Sequence, residues 1–161
     1  MKFFYLELII NDIMFIYLDN KNYILKFGNL LSKILFLNII CCLIGGMGAG
    51  KTTLSKGLIF KSFEQKKKIK SPTYNLIETY ICERNVIHHL DFYRLNHINN
   101  LIEIDIINYI TNKSIVIIEW GDKFFCMINY NSYIYIFYYS NFLNRLLFIN
   151  FNFINFKKLL H

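Results

Sequence analysis

The chain has 161 residues, enough for one domain with a real core, and it carries a formal net charge of +7. Its four cysteines, Cys41, Cys42, Cys82 and Cys126, form no Cys-x-x-Cys pair, which argues against a disulfide framework or a zinc ribbon and fits a reducing cytoplasm. The basic balance suits a polyanion such as tRNA, and suits a merely soluble Lys-rich surface equally well.

Ile, Asn, Lys, Phe and Tyr dominate, and their codons are A/T-rich. Bias in the coding DNA therefore inflates the hydrophobic fraction of 55%. Against that background, four of the seven glycines and the sole alanine, Ala49, fall between Gly45 and Gly50. Residues that the composition disfavours gather where a loop needs positive φ and close backbone approach.

In chain order, Met1 to Tyr17 is apolar but interrupted by Glu7 and Asp12, with no small-residue cleavage site after it. Ile34 to Ile44 is too short to cross a bilayer, so no membrane association is expected. Leu30, Leu31, Ile34 and Leu35 recur at helical spacing and predict a helix over Tyr23 to Leu37. Ile39 to Ile44 is a continuous apolar run, as in a central parallel strand buried on both faces. Lys51 to Ser62 is predicted helical, with Leu54 and Leu58 facing the core.

Lys66 to Lys70 reads as a basic loop, either solvated or touching RNA. Ser71-Pro72-Thr73, with the only proline, reads as a rigid turn presenting hydroxyls. Tyr74 to Cys82 and Val86 to Leu90 are predicted strands, Asn99 to Tyr109 a helix, and Ile115 to Ile118 a second apolar strand. From Ser132 the tail alternates, turns at Asn141 to Asn144 and returns over Arg145 to Phe151 as a hairpin. Alternating strands and helices up to Trp120 place the chain in the α/β class.

Gly45-Gly46-Met47-Gly48-Ala49-Gly50-Lys51-Thr52 matches the phosphate-loop pattern G-x-x-x-x-G-K-[ST] in full, with an apolar strand before it and a helical pattern after it. Small residues let successive N–H groups turn inward as an anion nest, and the helix N-terminus adds its free N–H groups and positive dipole end. Lys51 is placed to reach the β- and γ-phosphates, the Thr52 hydroxyl to ligate Mg2+, and Thr53 to hold the α-phosphate. A phosphate-loop enzyme needs a further carboxylate near the metal, usually at a strand end. Glu119 and Asp91 both follow predicted strands, and either suits holding the metal or orienting the attacking water. His88 and His89, being adjacent on a strand, point to opposite faces and do not readily share one metal.

Four stretches taken in order resemble one family, TsaE (also called YjeE): the loop Gly45 to Thr53, Ser71-Pro72-Thr73-Tyr74-Asn75-Leu76-Ile77-Glu78, His89-Leu90-Asp91-Phe92-Tyr93-Arg94-Leu95, and Ile118-Glu119-Trp120. The resemblance implies a three-layer P-loop NTPase fold with a mainly parallel central sheet and a C-terminal β-hairpin. It implies a slow, Mg2+-dependent ATPase supporting threonylcarbamoyl modification of the tRNA adenosine beside the anticodon. ATP and Mg2+ are the implied cofactors, TsaD- and TsaB-like subunits the implied partners, tRNA an indirect one, and the cytoplasm the implied location.

By position, Gly45, Gly48, Ala49, Gly50, Lys51, Thr52 and Thr53 are similar to the family's nucleotide-binding residues. Thr52 and Glu119 match its magnesium ligands, and Lys51, Asp91 and Glu119 its catalytic groups. Trp120 and Arg145 match residues near the nucleotide. Residues 20–161 are expected to form a single P-loop ATPase domain, with residues 1–19 an extension lacking an evident counterpart. Gly46 stands where the family usually has Asp, Gly121 where Pro is usual, and Ile24 where Thr is common.

Two other readings remain open. One is a nucleotide-binding scaffold that has lost catalysis. The other is a small nucleoside or nucleotide kinase, against which the presence of only Arg84, Arg94 and Arg145 argues.

Overall fold

The computed structural model describes residues 5–10, 13–18, 20–35, 39–62, 69–82, 85–95, 100, 104–111, 113–122, 133–140 and 145–151. Among them run β1 (Tyr5–Ile10), β2 (Ile13–Leu18), α1 (Lys21–Ile34), β3 (Ile39–Ile44), α2 (Lys51–Ser62), β4 (Ile77–Ile81), β5 (Val86–Asp91), a 3-10 turn (Ile106–Tyr109), β6 (Ser114–Glu119), β7 (Tyr133–Ser140) and β8 (Arg145–Phe151).

The strands form one sheet in the order β1-β2-β8-β7-β3-β6-β5-β4. Its centre is parallel: β3 pairs with β6 and β7, and β6 with β5. Antiparallel strands flank that centre, β4 on one side and β8, β2 and β1 on the other. The tail forms the expected hairpin, β7 against β8, and its β7 strand lies parallel to β3. Residues 13–18 are not set apart from the sheet, since β2 pairs with β8 and Ile16 and Leu18 are buried in the core.

Side-chain alternation along the central strands divides the core in two. Ile39, Cys41 and Leu43 of β3, with Ile115 and Ile117 of β6, pack against Ile24, Phe27 and Leu31 of α1 and Leu54, Leu58 and Ile59 of α2. On the opposite face Ile40, Cys42, Val116, Ile118 and Leu90 are covered by Phe92, Leu95, Ile104, Ile106 and Ile110. This gives three layers: two helices, the sheet, and the segment after β5. Burial of β3 and β6 on both faces explains the apolar runs Ile39–Ile44 and 115–118 within them.

Asn20 caps α1 by accepting from the N–H groups of Asn22 and Tyr23 at 3.0 and 3.2 Å, a contribution of about 1 kcal/mol. α1 and α2 then cross where each has a glycine. A Cβ on Gly57 would stand 2.5 Å from the Leu25 carbonyl oxygen, and one on Gly28 would stand 2.8 Å from the Gly57 Cα. The crossing holds α2 against the sheet and so fixes the helix N-terminus at Lys51.

Three expected bounds shift. α1 stops at Ile34, with Leu35 already extended. The strand expected from Tyr74 begins at Ile77, because Leu76 takes φ 62 and the Ile77 N–H turns back to the Asn75 carbonyl at 2.7 Å. The helix expected over Asn99 to Tyr109 closes as a 3-10 turn entered from Asp105 at φ 48. The turn Asn141 to Asn144 and the lysines Lys66 to Lys68 lie outside the described residues. No helix among the described residues is long and apolar enough to cross a membrane.

Gly57→Ala is expected to lower unfolding free energy by roughly 1–3 kcal/mol through backbone overpacking, despite a gain in helix propensity. Gly46→Ala meets nothing within 4 Å and should change it by less than about 0.5 kcal/mol. Urea unfolding of the two variants checks the contrast.

Candidate functional site

Parallel register brings the carboxyl ends of three strands together. Leu43 on β3 is level with Glu119 on β6, and Glu119 is level with Asp91 on β5. The chain continues from each of these ends into the site. β3 runs into the glycine loop, β5 into Phe92 and Tyr93, and β6 into Trp120. Cross-strand backbone bonds tie the exits together, the Trp120 N–H donating to Leu43 and the Phe92 N–H to Glu119, both at 3.0 Å.

Glu119 and Asp91 share strand parity with Ile117 and Ile87, which face the helices. Both carboxylates therefore sit under the start of α2. Together with Met47, Gly48, Gly50, Lys51, Thr52, Thr53, Ser71, Thr73, Tyr93 and Trp120 they line an open cleft of about 380 Å³.

The loop reaches this cleft through left-handed backbone, with Gly48 at φ 76 and Gly50 at φ 112, which a Cβ would strain. The free N–H groups of the first turn of α2 and its dipole then face the cleft. Lys51 is 5% exposed. Its ammonium donates to the carbonyls of Gly45 and Gly46 at 2.6 and 2.8 Å, and lies 3.6 Å over the Trp120 ring. Burial holds its pKa below the usual lysine value, opposed by the charges of Glu119, Asp91 and Asp122. A buried cation held by loop carbonyls is well placed to exchange them for an anion.

Glu119 is 2% exposed and held by three side chains. Thr52 donates to its Oε2 at 2.7 Å, while the Ser55 hydroxyl and His89 Nε2 lie 3.0 and 2.8 Å from its Oε1. Asp91, 3% exposed, accepts from the Ser71 and Thr73 hydroxyls on Oδ2, the latter at 2.7 Å, and from the Tyr93 N–H on Oδ1 at 2.9 Å. The turn Ser71-Pro72-Thr73 thus presents its hydroxyls to Asp91.

The Thr52 hydroxyl and the Glu119 carboxylate are adjacent hard oxygens, the kind of donor a magnesium ion takes.

Trp120 takes φ 61, in the left-handed region, which for so bulky a residue costs on the order of 1–3 kcal/mol. The turn carries the ring across the cleft, to Lys51 on one side and Tyr93 on the other, with centroids of the two rings 5.2 Å apart. Gly121 follows, where a Cβ would press on Cys42 at 3.1 Å.

The structure gathers Gly48, Gly50, Lys51, Thr52, Thr53, Asp91, Glu119 and Trp120 in one cleft. Gly45 contributes a carbonyl to Lys51. Ala49 turns its methyl into the core and its N–H to Gly46 at 3.3 Å. Arg145, opposite Ser140 in register, begins β8 at the loop end of the sheet, two strands from β3.

Sequence reasoning missed Met47, Tyr93, Ser55 and His89 as parts of the site. Ser55 lies one helical turn after Lys51, and nothing local in the sequence marks its contact with Glu119. His88 and His89 do face opposite ways: His88 lies 3.0 Å from the Thr79 hydroxyl and against Tyr109, while His89 reaches Glu119.

A family model described as "Threonylcarbamoyl adenosine biosynthesis protein TsaE" matches residues 18–144. A Haemophilus influenzae protein named tRNA threonylcarbamoyladenosine biosynthesis protein TsaE is 36% identical over 112 residues, covering 66% of this chain and 70% of the relative. A protein of the same name from Nostoc sp. is also 36% identical, over 121 residues, covering 73% and 74%. Among solved structures, Bacillus subtilis YdiB superposes with a TM-score of 0.72 over 92% of this chain and 91% of that one. At 16% identity it bears on the fold alone.

Trp120 is the sole tryptophan, so its emission reports on the cleft. An anion that draws Lys51 off the ring should change that emission, and Lys51→Met should abolish the change. A fluorescence titration with ADP that leaves wild-type emission flat at saturation would contradict the geometry.

Proposed function

The chain belongs to the TsaE family, and from that premise we propose that it binds ATP with Mg2+ in the cleft and hydrolyses it in support of threonylcarbamoyl modification of a tRNA adenosine beside the anticodon. The observation that carries the reading is convergence. A complete phosphate loop, a buried lysine and two carboxylates at level strand ends meet in one cleft. That arrangement serves phosphoryl chemistry, where positioning and charge stabilisation do most of the catalysis.

In this reading the N–H groups of Gly48 to Thr53 cradle the phosphates. Lys51 leaves the carbonyls of Gly45 and Gly46 for the phosphate oxygens. Thr52 and Glu119 hold the metal, which when bound would neutralise charge developing on the phosphates. Asp91 is restrained by Ser71, Thr73 and the Tyr93 N–H, so one carboxylate is fixed at the cleft wall to orient the attacking water. Trp120 and Tyr93 give the cleft an aromatic wall, and Arg145 begins β8 at the same end of the sheet.

In this reading the threonylcarbamoyl step itself falls to partners, TsaD- and TsaB-like subunits, with tRNA engaged through them in the cytoplasm. A scaffold without turnover is the competing reading. The intact set Lys51, Thr52, Asp91 and Glu119 favours the ATPase.

ATP hydrolysis by the purified chain, with and without Mg2+ and with and without those partners, tests this. Mg2+-dependent turnover raised by the partners above the sum of the separate proteins is expected. Binding without turnover in every mixture would favour the scaffold. Lys51→Ala should weaken nucleotide binding about 100-fold or more, since it removes charge-assisted bonds. Glu119→Gln should keep the fold and lower Mg2+-dependent turnover roughly 100-fold. Full activity of Glu119→Gln would transfer the metal role to Asp91.

A further inference from the structure

His89 is fully buried on the helix face of β5, with its Nε2 2.8 Å from Glu119 Oε1. As a carboxylate Glu119 only accepts, so Nε2 carries the hydrogen. The other ring nitrogen, Nδ1, is buried with no hydrogen-bond partner among the described residues. A buried orphan calls for a reason, and nothing in packing alone requires a polar ring there, between Ile87 and the strand end.

The two oxygens of Glu119 differ in their neighbours. Oε2 faces Thr52 and the cleft, and Oε1 faces inward to His89 and Ser55. Ser55 also lies 3.1 Å from the Lys51 carbonyl, and a hydroxyl has one hydrogen to give. Ser55 therefore alternates between two acceptors, whereas the imidazole donates to one. Without that donor, Oε1 would be free to rotate outward and take the place of Oε2 beside Thr52.

We infer that His89 is a positioning residue: its Nε2–H pins Oε1 of Glu119 so that Oε2 is the oxygen presented, with the Thr52 hydroxyl, to a divalent cation. The inference rests on the ATP and Mg2+ reading of the cleft and adds a determinant of metal affinity to it. Carboxylates that ligate metals are usually themselves held by hydrogen bonds, whose loss costs about 10–100-fold in metal affinity.

The test uses the full chain and a fluorescent ATP analogue, with binding measured across a Mg2+ titration and again in EDTA. In His89→Leu the Mg2+ concentration for half-maximal binding should rise about 10–100-fold. Affinity in EDTA should change less than about twofold. His89→Gln, which retains a donor able to reach Oε1, should return the half-saturation point to near wild type.

An unmoved half-saturation point in folded His89→Leu overturns the inference, as does an equal loss in EDTA. If His89→Leu does not fold, His89→Asn makes the same comparison, its amide polar but too short to reach Oε1. The 15N spectrum of labelled histidine in the unsubstituted chain decides independently. An Nε2–H tautomer whose proton signal shifts on Glu119→Gln supports the inference, and an Nδ1–H tautomer overturns it. A wild-type chain that binds no nucleotide contradicts the ATP reading instead, and the histidine spectrum still decides the His89–Glu119 geometry.

Discussion

The register of three parallel strands is the constraint on which the rest depends. Because β3, β6 and β5 end level at Leu43, Glu119 and Asp91, the glycine loop, the buried glutamate and the hydroxyl-bound aspartate open onto the same space. A slip of one residue in β6 would turn Glu119 to the opposite face of the sheet, away from Thr52 and α2. Burial of β3 and β6 on both faces protects that register, since each strand is fixed by packing on both sides.

The helix crossing is the second fixed point. Gly28 and Gly57 allow α1 and α2 to touch backbone to backbone, which seats α2 with Lys51, Thr52 and Ser55 facing the strand ends. The cleft itself stores small unfavourable terms: the left-handed Trp120, a desolvated Lys51 and an orphaned nitrogen on His89. Local costs of this kind are common where geometry serves chemistry. They are carried by a core that closes around them on both faces of the sheet.

Much of this was legible in the sequence. Ile39–Ile44 and Lys51–Ser62 fall where apolar continuity and the glycine loop place them, because strand and helix there are set by local pattern. Glu119 and Asp91 could be named because each follows a predicted strand. Ser55 and His89 could not, because their role depends on a distance of 64 and 30 residues along the chain to Glu119. The segment before β4 was misjudged for a different reason. Tyr74, Leu76 and Ile77 have strand propensity, yet Leu76 is forced into left-handed backbone by the turn that delivers Ser71 and Thr73 to Asp91. Tertiary bonds to a carboxylate outweighed local preference. In the 99–109 segment the apolar spacing was right in kind, since Ile104 and Ile106 do cover the sheet, but left-handed Asp105 interrupts the helical path.

The central claim, that this cleft is a site for ATP with magnesium, is tested most directly by a crystal structure of the chain with Mg2+ and a non-hydrolysable ATP analogue. The account predicts phosphates within the loop Gly45 to Thr53, the Lys51 ammonium moved from the carbonyls of Gly45 and Gly46 to phosphate oxygens, and a magnesium ion beside Thr52 and Glu119. A nucleotide seated elsewhere, or Lys51 still on those carbonyls with the cleft filled, would contradict it.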